Sequence, residues 1–328
     1  MGIGIDTDPH DEGDGSQGEG VAMETKRVTL EEAIGQFVRD GDAVVLGTAL
    51  ESLIPFAAGY EMVRQGLRDL TLVGPISDML FDVLVGAGCV HRVEAAWVGN
   101  VMMGTGYNFR RAVEDGVPRP VEVVEHSNLT LQAGLKAAAQ GLPYLPTRTA
   151  LGSTILERNP GLTTIRCPFT GETLVAVRAL QPDVAVLHVQ RADARGNAHV
   201  WGNLGVTQEA ALAARKVVLV AEEIVPPSVI ASDPNRTLIP GFLVSAVAEV
   251  PGGSHPSPCQ GYANRDHAFY SAYHAASRTW EGFLEWLDRY VLDPGSHAGY
   301  RELLRSEGRL DALAVAEHAY CAPVDFGY

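Results

Sequence analysis

The sequence predicts an α/β fold in which helices cover both faces of an open, mainly parallel β-sheet. One observation is an alternation of short β-branched runs with stretches whose apolar residues recur at helical spacing. A second is that the run before Gly47 is apolar throughout, which is typical of a strand buried on both faces of a parallel sheet. With 46% hydrophobic residues among 328, the chain can bury a large core.

The first helix is predicted from a capping box. Thr29 is followed three residues later by Glu32, and apolar residues from Leu30 to Phe37 recur at helical spacing. Further helices are predicted at residues 54–65, 78–85, 129–140, 206–215 and 300–304. Strands are predicted at residues 42–47, 70–73, 92–98, 121–124, 174–177, 184–189, 217–221 and 243–250. Ligands of such sheets bind beyond the carboxyl ends of the strands, so the loops after Leu46, Val73 and Val98 are the expected place for a site.

The composition divides the chain into three predicted segments. Residues 1–24 are rich in acidic residues and glycine with few apolar residues, so we predict a disordered acidic tail there. Residues 25–292 form the predicted α/β domain, and residues 293–328 form a predicted C-terminal helical extension.

Composition also excludes several classes of protein. No apolar run is long enough to span a bilayer and no signal peptide is evident, so we expect a cytoplasmic protein with no membrane partner. The net charge of -15 argues against nucleic acid as a partner. The four cysteines are far apart, which suits reduced thiols, and we expect no metal, including at the weak pair Cys89 and His91.

Common catalytic and cofactor motifs are missing from the sequence. GxSxG, HExxH, the P-loop signature and the EF-hand loop do not occur. Two glycine-rich pieces, Gly86-Ala-Gly88 and Gly104-Thr-Gly106, do not complete a dinucleotide-binding GxGxxG at the end of a strand. Glu222 and Glu223 directly follow a predicted strand, where they are either an acid and base or a solvated strand end. The residues alone therefore leave the chemistry open.

Six phrases occur in an order that resembles one family. They are VTLEEAIGQFVRDGDAVVLG (28–47), AAAQGLPYLPTR (137–148), DVAVLHVQRADARGNAHVWG (183–202), VLVAEEIV (218–225), SDPNRTLIPGFLVSAVAEVPGGSHPS (232–257) and TWEGFLEWLDRYV (279–291). Together they resemble the A (alpha) subunit of family I CoA-transferases, of the glutaconate CoA-transferase kind. The resemblance implies the CoA-transferase or NagB-like fold.

The same resemblance implies a mechanism shared between two chains. The partner is a B (beta) subunit of the CoA-transferase, whose glutamate carboxylate attacks an acyl-CoA thioester, and a glutamyl intermediate passes CoA to another carboxylic acid. Coenzyme A is then a substrate, no cofactor or metal is needed, and an α-β pair doubles to a heterotetramer. This chain carries no catalytic residue in that scheme.

Two other functions stay open. One is a CoA-thioester hydrolase or ring-cleaving enzyme on the same fold, which would form product without a carboxylate acceptor. The other is a binding module without catalysis, because a fold alone does not fix function.

The resemblance places a substrate-binding loop after the first central strand, at Gly47 and Thr48. Residues 48–54 depart from the family pattern toward apolar residues, so we expect a more apolar acyl group than a dicarboxylate. Glu51 is an alternative nucleophile in this loop, against its interpretation as a surface or pocket-rim carboxylate.

Further substrate-binding candidates follow the next strands. Gly74 and Ser77 come first, and either Ser77 or Asp78 is predicted to cap the next helix, with Ser77 also able to face the substrate. Gly99 and Asn100 align with a segment that lines the acyl pocket of the relatives.

Ser127 and Asn128 complete the set of candidates. Ser127 is a predicted N-cap, and Asn128 aligns near a position where ring-cleaving relatives carry a glutamate. Because an amide cannot serve as that base, Asn128 favours transfer over hydrolysis. His255, which precedes Pro256, is predicted to be a hydrogen-bonded structural histidine.

Overall fold

The structure, a computed structural model, describes residues 25–315. The predicted acidic tail at residues 1–24, like residues 316–328 of the predicted extension, lies outside the described residues. No helix among the described residues combines the length and the apolar character that a membrane span requires.

The described residues contain fifteen strands. In chain order they are β1 (Arg27–Val28), β2 (Ala43–Val45), β3 (Leu70–Ile76), β4 (Val90–Trp97), β5 (Gly99–Asn100), β6 (Gly104–Thr105), β7 (Glu122–Glu125), β8 (Tyr144–Thr147), β9 (Leu162–Arg166), β10 (Thr173–Arg178), β11 (Val184–Ala192), β12 (Ala198–His199), β13 (Lys216–Ile224), β14 (Thr237–Ile239) and β15 (Val244–Glu249).

The described residues also contain twelve α-helices. They are α1 (Leu30–Phe37), α2 (Phe56–Arg64), α3 (Leu80–Gly86), α4 (Tyr107–Glu114), α5 (Asn128–Ala139), α6 (Thr154–Arg158), α7 (Thr207–Ala213), α8 (Pro227–Ser232), α9 (His267–Ala276), α10 (Trp280–Leu287), α11 (His297–Ser306) and α12 (Arg309–Leu313). The predicted capping box of α1 is present, with the Glu32 backbone N–H donating to the Thr29 side chain and the Thr29 N–H donating to the Glu32 carboxylate.

The main sheet has ten strands, and its path runs β1-β15-β13-β11-β2-β3-β4-β7. All neighbours along that path are parallel. Off the path, β12 pairs antiparallel with the carboxyl end of β11 and with β14. The chain builds β2, β3, β4 and β7 in one direction and then places β11 on the other side of β2. The predicted α/β class with a mainly parallel sheet is confirmed, and the order reverses at β2, where ligand sites of such sheets lie.

Two hydrophobic cores lie on opposite faces of the sheet. Along β11, Val184 and Val186 belong to the first core, and Ala185 and Leu187 belong to the second. Helices α1, α2, α3 and α9 pack into the first core, while α5 and α7 pack into the second. This alternation explains why the central strands are apolar at every position.

The predicted strand at residues 174–177 is present as β10, but it is not part of the parallel sheet. It lies in a separate three-stranded antiparallel sheet in the order β8-β10-β9. A tight turn joins β9 to β10, with the Cys167 N–H donating to the Glu172 carbonyl. So short a connection favours an antiparallel hairpin over a parallel crossover.

A buried hydrogen-bonded junction ties the predicted C-terminal extension to the first core. Asp266 accepts from the Phe269 N–H at 2.8 Å, which caps α9, and from the Arg309 guanidinium at 3.0 Å. The His255 ring lies between Asp266 and the Tyr300 hydroxyl, at 3.1 and 2.7 Å. His255 therefore has the structural setting that the sequence predicted, and Tyr300 packs in the first core.

Asp266 is the carboxyl at the centre of this junction. Burial alone would raise its pKa, but hydrogen bonds from His255 and Phe269 and the charge of Arg309 lower the pKa to about 2. A carboxyl whose pKa falls on folding stabilises the native state above its unfolded pKa and loses that contribution as the pH falls through its folded pKa.

We expect Asp266→Asn to make stability less dependent on pH. At pH 7 the free energy of unfolding of the variant should be about 1–2 kcal/mol lower than that of wild type, after allowance for solvent screening. The difference should shrink below pH ~4 and vanish only below pH ~2. Urea unfolding across that range measures it, with the exposed Asp115→Asn as the control. A difference that stays constant with pH would contradict this assignment.

Candidate functional site

Three loops meet at the carboxyl ends of the central strands. The first, here called the Gly47 loop (residues 46–55), follows β2, and the others follow β3 and β4. The Leu46 N–H donates to the Val73 carbonyl at 3.1 Å, so the Gly47 loop begins in contact with β3. The structure therefore brings together the segments that the sequence singled out after Leu46, Val73 and Val98.

The backbone of the Gly47 loop is strained. Gly47, Leu50 and Leu53 have φ angles of 62°, 62° and 53°, in the left-handed region. For the two leucines this conformation costs about 1–2 kcal/mol each, because the Cβ approaches the following carbonyl oxygen. Non-glycine residues in this region persist only where the surroundings hold them, and they concentrate at functional sites.

Backbone and hydroxyl contacts hold that strained path. The Val206 N–H donates to the Thr48 carbonyl at 2.9 Å, and the hydroxyls of Thr48 and Thr207 lie 2.8 Å apart. On the other side, the Ser257 hydroxyl donates to the Glu51 carbonyl at 2.9 Å. The loop is thus clamped between the start of α7 and the segment that follows β15.

Gly47 and Gly74 permit a very close approach of two segments. A Cβ on Gly47 would lie 2.6 Å from the Ser77 Oγ, and a Cβ on Gly74 would lie 2.5 Å from the Leu46 carbonyl oxygen. Ser77 is fully buried beneath the loop, with its hydroxyl 3.4 Å from the Leu46 carbonyl. The Ser77 side chain therefore packs under the Gly47 loop and supports it from below.

The apolar residues at the end of the Gly47 loop pack into the cores. Leu53 is 3% exposed and lies in the second core, and Ile54 is fully buried in the first. Their apolar character therefore reflects packing, and these two residues give no support to the expectation of an apolar acyl group.

A buried guanidinium joins the three loops to a distant segment. Arg265 Nη2 donates to Asp78 Oδ2 at 2.9 Å, and Nη1 donates to Glu51 Oε2 at 3.3 Å. The guanidinium also lies 4.0 Å from the centre of the Tyr270 ring. Asn100 Nδ2 donates to the other Asp78 oxygen at 2.7 Å. We call Glu51, Asp78, Asn100, Arg265 and Tyr270 the Arg265 cluster.

Asp78 does not cap the following helix, which corrects one prediction. The N-cap of α3 is Met79, which makes no side-chain capping bond, and Ser77 does not cap the helix either. Asp78 has a left-handed backbone with φ of 50°, and its carboxylate turns into the Arg265 cluster instead. A buried cation competes successfully for the carboxylate, because charge-assisted bonds are about twice as strong as those to a neutral donor.

The charge state of Asp78 is sensitive to pH. Burial raises its pKa to about 6, and the neighbouring Arg265 opposes part of that rise. Folding therefore favours the protonated carboxyl, and Asp78 by itself stabilises the native state less as the pH rises from about 4 to 6. Above that range the carboxylate and Arg265 form a buried ion pair.

Besides its bond to Asp78, Asn100 stabilises a short hairpin. Strands β5 and β6 pair antiparallel, and Asn100 Oδ1 accepts from the backbone N–H groups of Met102 and Met103 at 2.9 and 3.2 Å. Asn100 itself is buried, whereas Val101 and Met102 are each 43% exposed at the hairpin tip. The side chain predicted to line a pocket thus positions the apolar residues that follow it.

Ser127 and Asn128 lie at the start of α5. Ser127 is the N-cap, as predicted, and its Oγ accepts from the Thr130 N–H at 3.1 Å. Asn128 is the first residue of the helix and its side chain is exposed. Of the predicted binding residues, Thr48, Ser77 and Asn100 lie together, while these two follow the more distant strand β7.

The chain matches a known protein family over most of its length. A family model described as Coenzyme A transferase matches residues 27–250, which include every predicted binding residue. The chain belongs to the coenzyme A transferase family. The predicted membership is thereby confirmed.

Individual relatives within the coenzyme A transferase family give more detail. The chain is 44% identical to the A (alpha) subunit of 3-oxoadipate CoA-transferase from Pseudomonas knackmussii over 264 residues, covering 80% of this chain and 93% of the relative. The crystal structure of glutaconate CoA-transferase from Acidaminococcus fermentans matches with a TM-score of 0.84 at 32% identity, covering 90% and 97%. A cholesterol ring-cleaving hydrolase IpdA subunit of Mycobacterium tuberculosis is 31% identical, covering 87% and 99%. The predicted similarity to alpha subunits is confirmed.

Sequence reasoning missed Arg265, the centre of the Arg265 cluster in this family member. Arg265 is 187 residues from Asp78 and 214 from Glu51 in the chain. It matches no short motif, and it lies just beyond the phrase at residues 232–257 that carried the resemblance. The available signal was an arginine and an aspartate directly before a helical stretch, which by itself indicates only a cap.

We expect Arg265→Lys to destabilise the chain although it keeps the charge. Lysine is a point donor that cannot reach both Glu51 and Asp78 in the planar geometry of the guanidinium. The free energy of unfolding should fall by about 2–4 kcal/mol, near the cost of breaking a buried ion pair. Denaturant titration followed by circular dichroism measures this.

The matched control is Arg289→Lys. Arg289 pairs with Glu307, but its side chain is 61% exposed. Exposed pairs contribute about 0–1 kcal/mol, so this variant should resemble wild type. An equal decrease in the free energy of unfolding in the two variants would show that the Arg265 cluster stabilises the chain no more than an exposed ion pair does.

Proposed function

We propose that the chain is the A (alpha) subunit of a two-chain CoA-transferase that moves CoA from an acyl-CoA to a carboxylic acid. The observation that carries the proposal is the 44% identity to the alpha subunit of 3-oxoadipate CoA-transferase across 93% of that relative. The match to the glutaconate CoA-transferase structure supports it, because it extends over 90% of this chain.

The proposed reaction has two halves. A glutamate carboxylate on the partner, the B (beta) subunit, attacks the thioester carbonyl, and the CoA thiolate leaves to give an acyl-glutamyl anhydride. The thiolate then attacks the glutamyl carbonyl, which releases the first acid and leaves a glutamyl-CoA thioester. An incoming carboxylate repeats these steps in reverse and departs as the new acyl-CoA.

The carboxylates of this chain near the Gly47 loop are poorly placed to act as that nucleophile. Asp78 is 1% exposed and paired with Arg265. The Glu51 carboxylate contacts the same guanidinium, and its backbone carbonyl accepts from Ser257. Both groups have structural partners in this chain, which supports a nucleophile supplied by a second chain.

This chain would supply a wall of the acyl pocket. In our proposal the wall consists of the Gly47 loop and the hairpin formed by β5 and β6, whose apolar tip is exposed. The buried side chains of Thr48, Ser77 and Asn100 fix the position of that wall from below.

For the acyl group we propose a 3-oxo dicarboxylic acid of the 3-oxoadipate class. The name of the 44% identical relative supports this class, and the core positions of Leu53 and Ile54 remove part of the reason to expect an apolar one. A panel of acids that includes 3-oxoadipate and a matched apolar acid tests the substrate class separately from the transfer itself.

We expect the catalytic glutamate to be found on a co-purifying chain. A tagged pulldown from the native host, read by native mass spectrometry, should give a one-to-one companion. After addition of acyl-CoA, borohydride should reduce a glutamyl thioester on that companion, and peptide mapping locates it. In the assembled enzyme, Glu51→Gln should lose no more than about tenfold in turnover, whereas loss of a nucleophile costs far more.

Three results would contradict the proposal in different ways. A modified Glu51 peptide would move the nucleophile onto this chain. A chain that purifies alone as a homo-oligomer would remove the two-chain arrangement. Thioester cleavage at full rate without any carboxylate acceptor would indicate the hydrolase that the IpdA similarity offers as the second candidate.

Asn100→Ala should lower turnover without unfolding the chain. The variant loses the bond to Asp78 and frees the Met102 and Met103 amides, so the hairpin loosens at a cost of about 1–3 kcal/mol. A domain with about 5–15 kcal/mol of stability remains folded. We expect kcat to fall about 10–100-fold, since small displacements of a binding wall are costly.

The control for Asn100→Ala is Asn235→Ala, at an exposed position in the short 3₁₀ helix Pro234–Arg236. Steady-state kinetics of the assembled enzyme and thermal unfolding should be measured for both. Wild-type kinetics in Asn100→Ala would remove the hairpin from the site.

A further inference from the structure

Three buried side chains from separate elements converge behind the Gly47 loop. His188 comes from β11, Glu222 from β13 and Cys259 from the segment after β15. One possible ligand atom from each lies within 4.8 Å of the other two. Their exposures are 2%, 9% and 0%, so the cluster is closed to bulk water.

Several polar atoms of this cluster have no hydrogen bond within the described part of the chain. These atoms are both ring nitrogens of His188 and Oε2 of Glu222. His188 Nε2 and Glu222 Oε2 are 3.2 Å apart, but they are not aligned for a hydrogen bond. The other carboxylate oxygen, Oε1, accepts from the Gly252 N–H at 2.7 Å. A buried polar atom without a well-aligned hydrogen bond is costly, and one ion can reach only one nitrogen of the ring. The facing pair, His188 Nε2 and Glu222 Oε2, therefore indicates a ligand that bridges the two side chains.

The donor set identifies the class of that ligand. Imidazole, carboxylate and thiolate together suit Zn²⁺ and similar transition-metal ions, whereas Mg²⁺ and Ca²⁺ prefer oxygen ligands alone. Two ligands at about 2.0–2.1 Å from a tetrahedral ion lie roughly 3.3 Å from each other. The 3.2 Å separation of His188 and Glu222 agrees with that geometry.

We propose that His188, Glu222 and Cys259 bind one transition-metal ion of the Zn²⁺ class, with a single enclosed water as the fourth ligand. Binding releases the thiol proton of Cys259, because the thiolate is the ligand form. The three ligands come from segments far apart in the chain, so no short sequence motif indicates the site.

The position of His188, Glu222 and Cys259 indicates a structural role for the ion. The backbone of Gly252 is hydrogen-bonded to Glu222, and the Pro258 carbonyl accepts from the Leu53 N–H of the Gly47 loop at 3.0 Å. An ion shared by β11, β13 and Cys259 would fix the segment from Gly252 to Cys259 on the central strands. That segment in turn supports one side of the Gly47 loop.

The test uses the full-length protein, with its partner if one co-purifies. Metal content is measured on freshly purified protein, and the chelated protein is then titrated with Co²⁺. We expect one ion per chain, a thiolate-to-cobalt charge-transfer band in the near ultraviolet, and the visible bands of tetrahedral Co²⁺. Cys259→Ser should abolish the charge-transfer band, and His188→Gln should weaken Co²⁺ binding by at least about 100-fold.

The control is Cys89→Ser, because Cys89 is also buried, at 2% exposure, but lies outside the cluster. It should keep the full spectrum. The wild-type titration decides the matter even if the cluster variants fail to fold: no charge-transfer band there overturns the proposal. A band that survives in Cys259→Ser, or disappears in Cys89→Ser, would place any ion elsewhere and overturn it as well.

Discussion

The arrangement of the candidate site depends on one buried guanidinium. The side chain of Arg265 is fully inaccessible, and removal of such a cation from water costs several kcal/mol unless charged partners surround it. Those partners are Asp78 and Glu51, each on a different loop, together with the face of the Tyr270 ring. Any displacement of one loop would leave charge without its partner, so the loops hold their positions jointly.

The fold could be predicted from the sequence because its signals are local. The capping box at Thr29 and the apolar run before Gly47 are each contained within a few residues, and both have the predicted structure. The sequence also predicts the strand at residues 174–177, but it does not predict that this strand belongs to a separate antiparallel sheet. The β-propensity of a segment indicates that it is extended. Which strands it pairs with depends on the chain connections, and the spacing of apolar residues does not encode those.

The candidate site was predictable only in part, for the same physical reason. Gly47 and Asn100 could be named through a family resemblance, but the role of Asp78 could not be derived from its neighbours. As an aspartate before a helix it has the local signature of a cap, and a cation 187 residues away overrides that signature. Long-range electrostatics of this kind appear only when the tertiary contacts are known.

The left-handed leucines of the Gly47 loop have a consequence for how this protein can change. The loop keeps its path through backbone contacts at Thr48, Glu51 and Leu53, so much of its shape is independent of the side chains it displays. A substitution at Leu50, which is partly exposed, would alter the local chemistry while the chain trace stays in place. This partly exposed side chain of the loop can therefore be exchanged during evolution without renewed selection on the path of the chain.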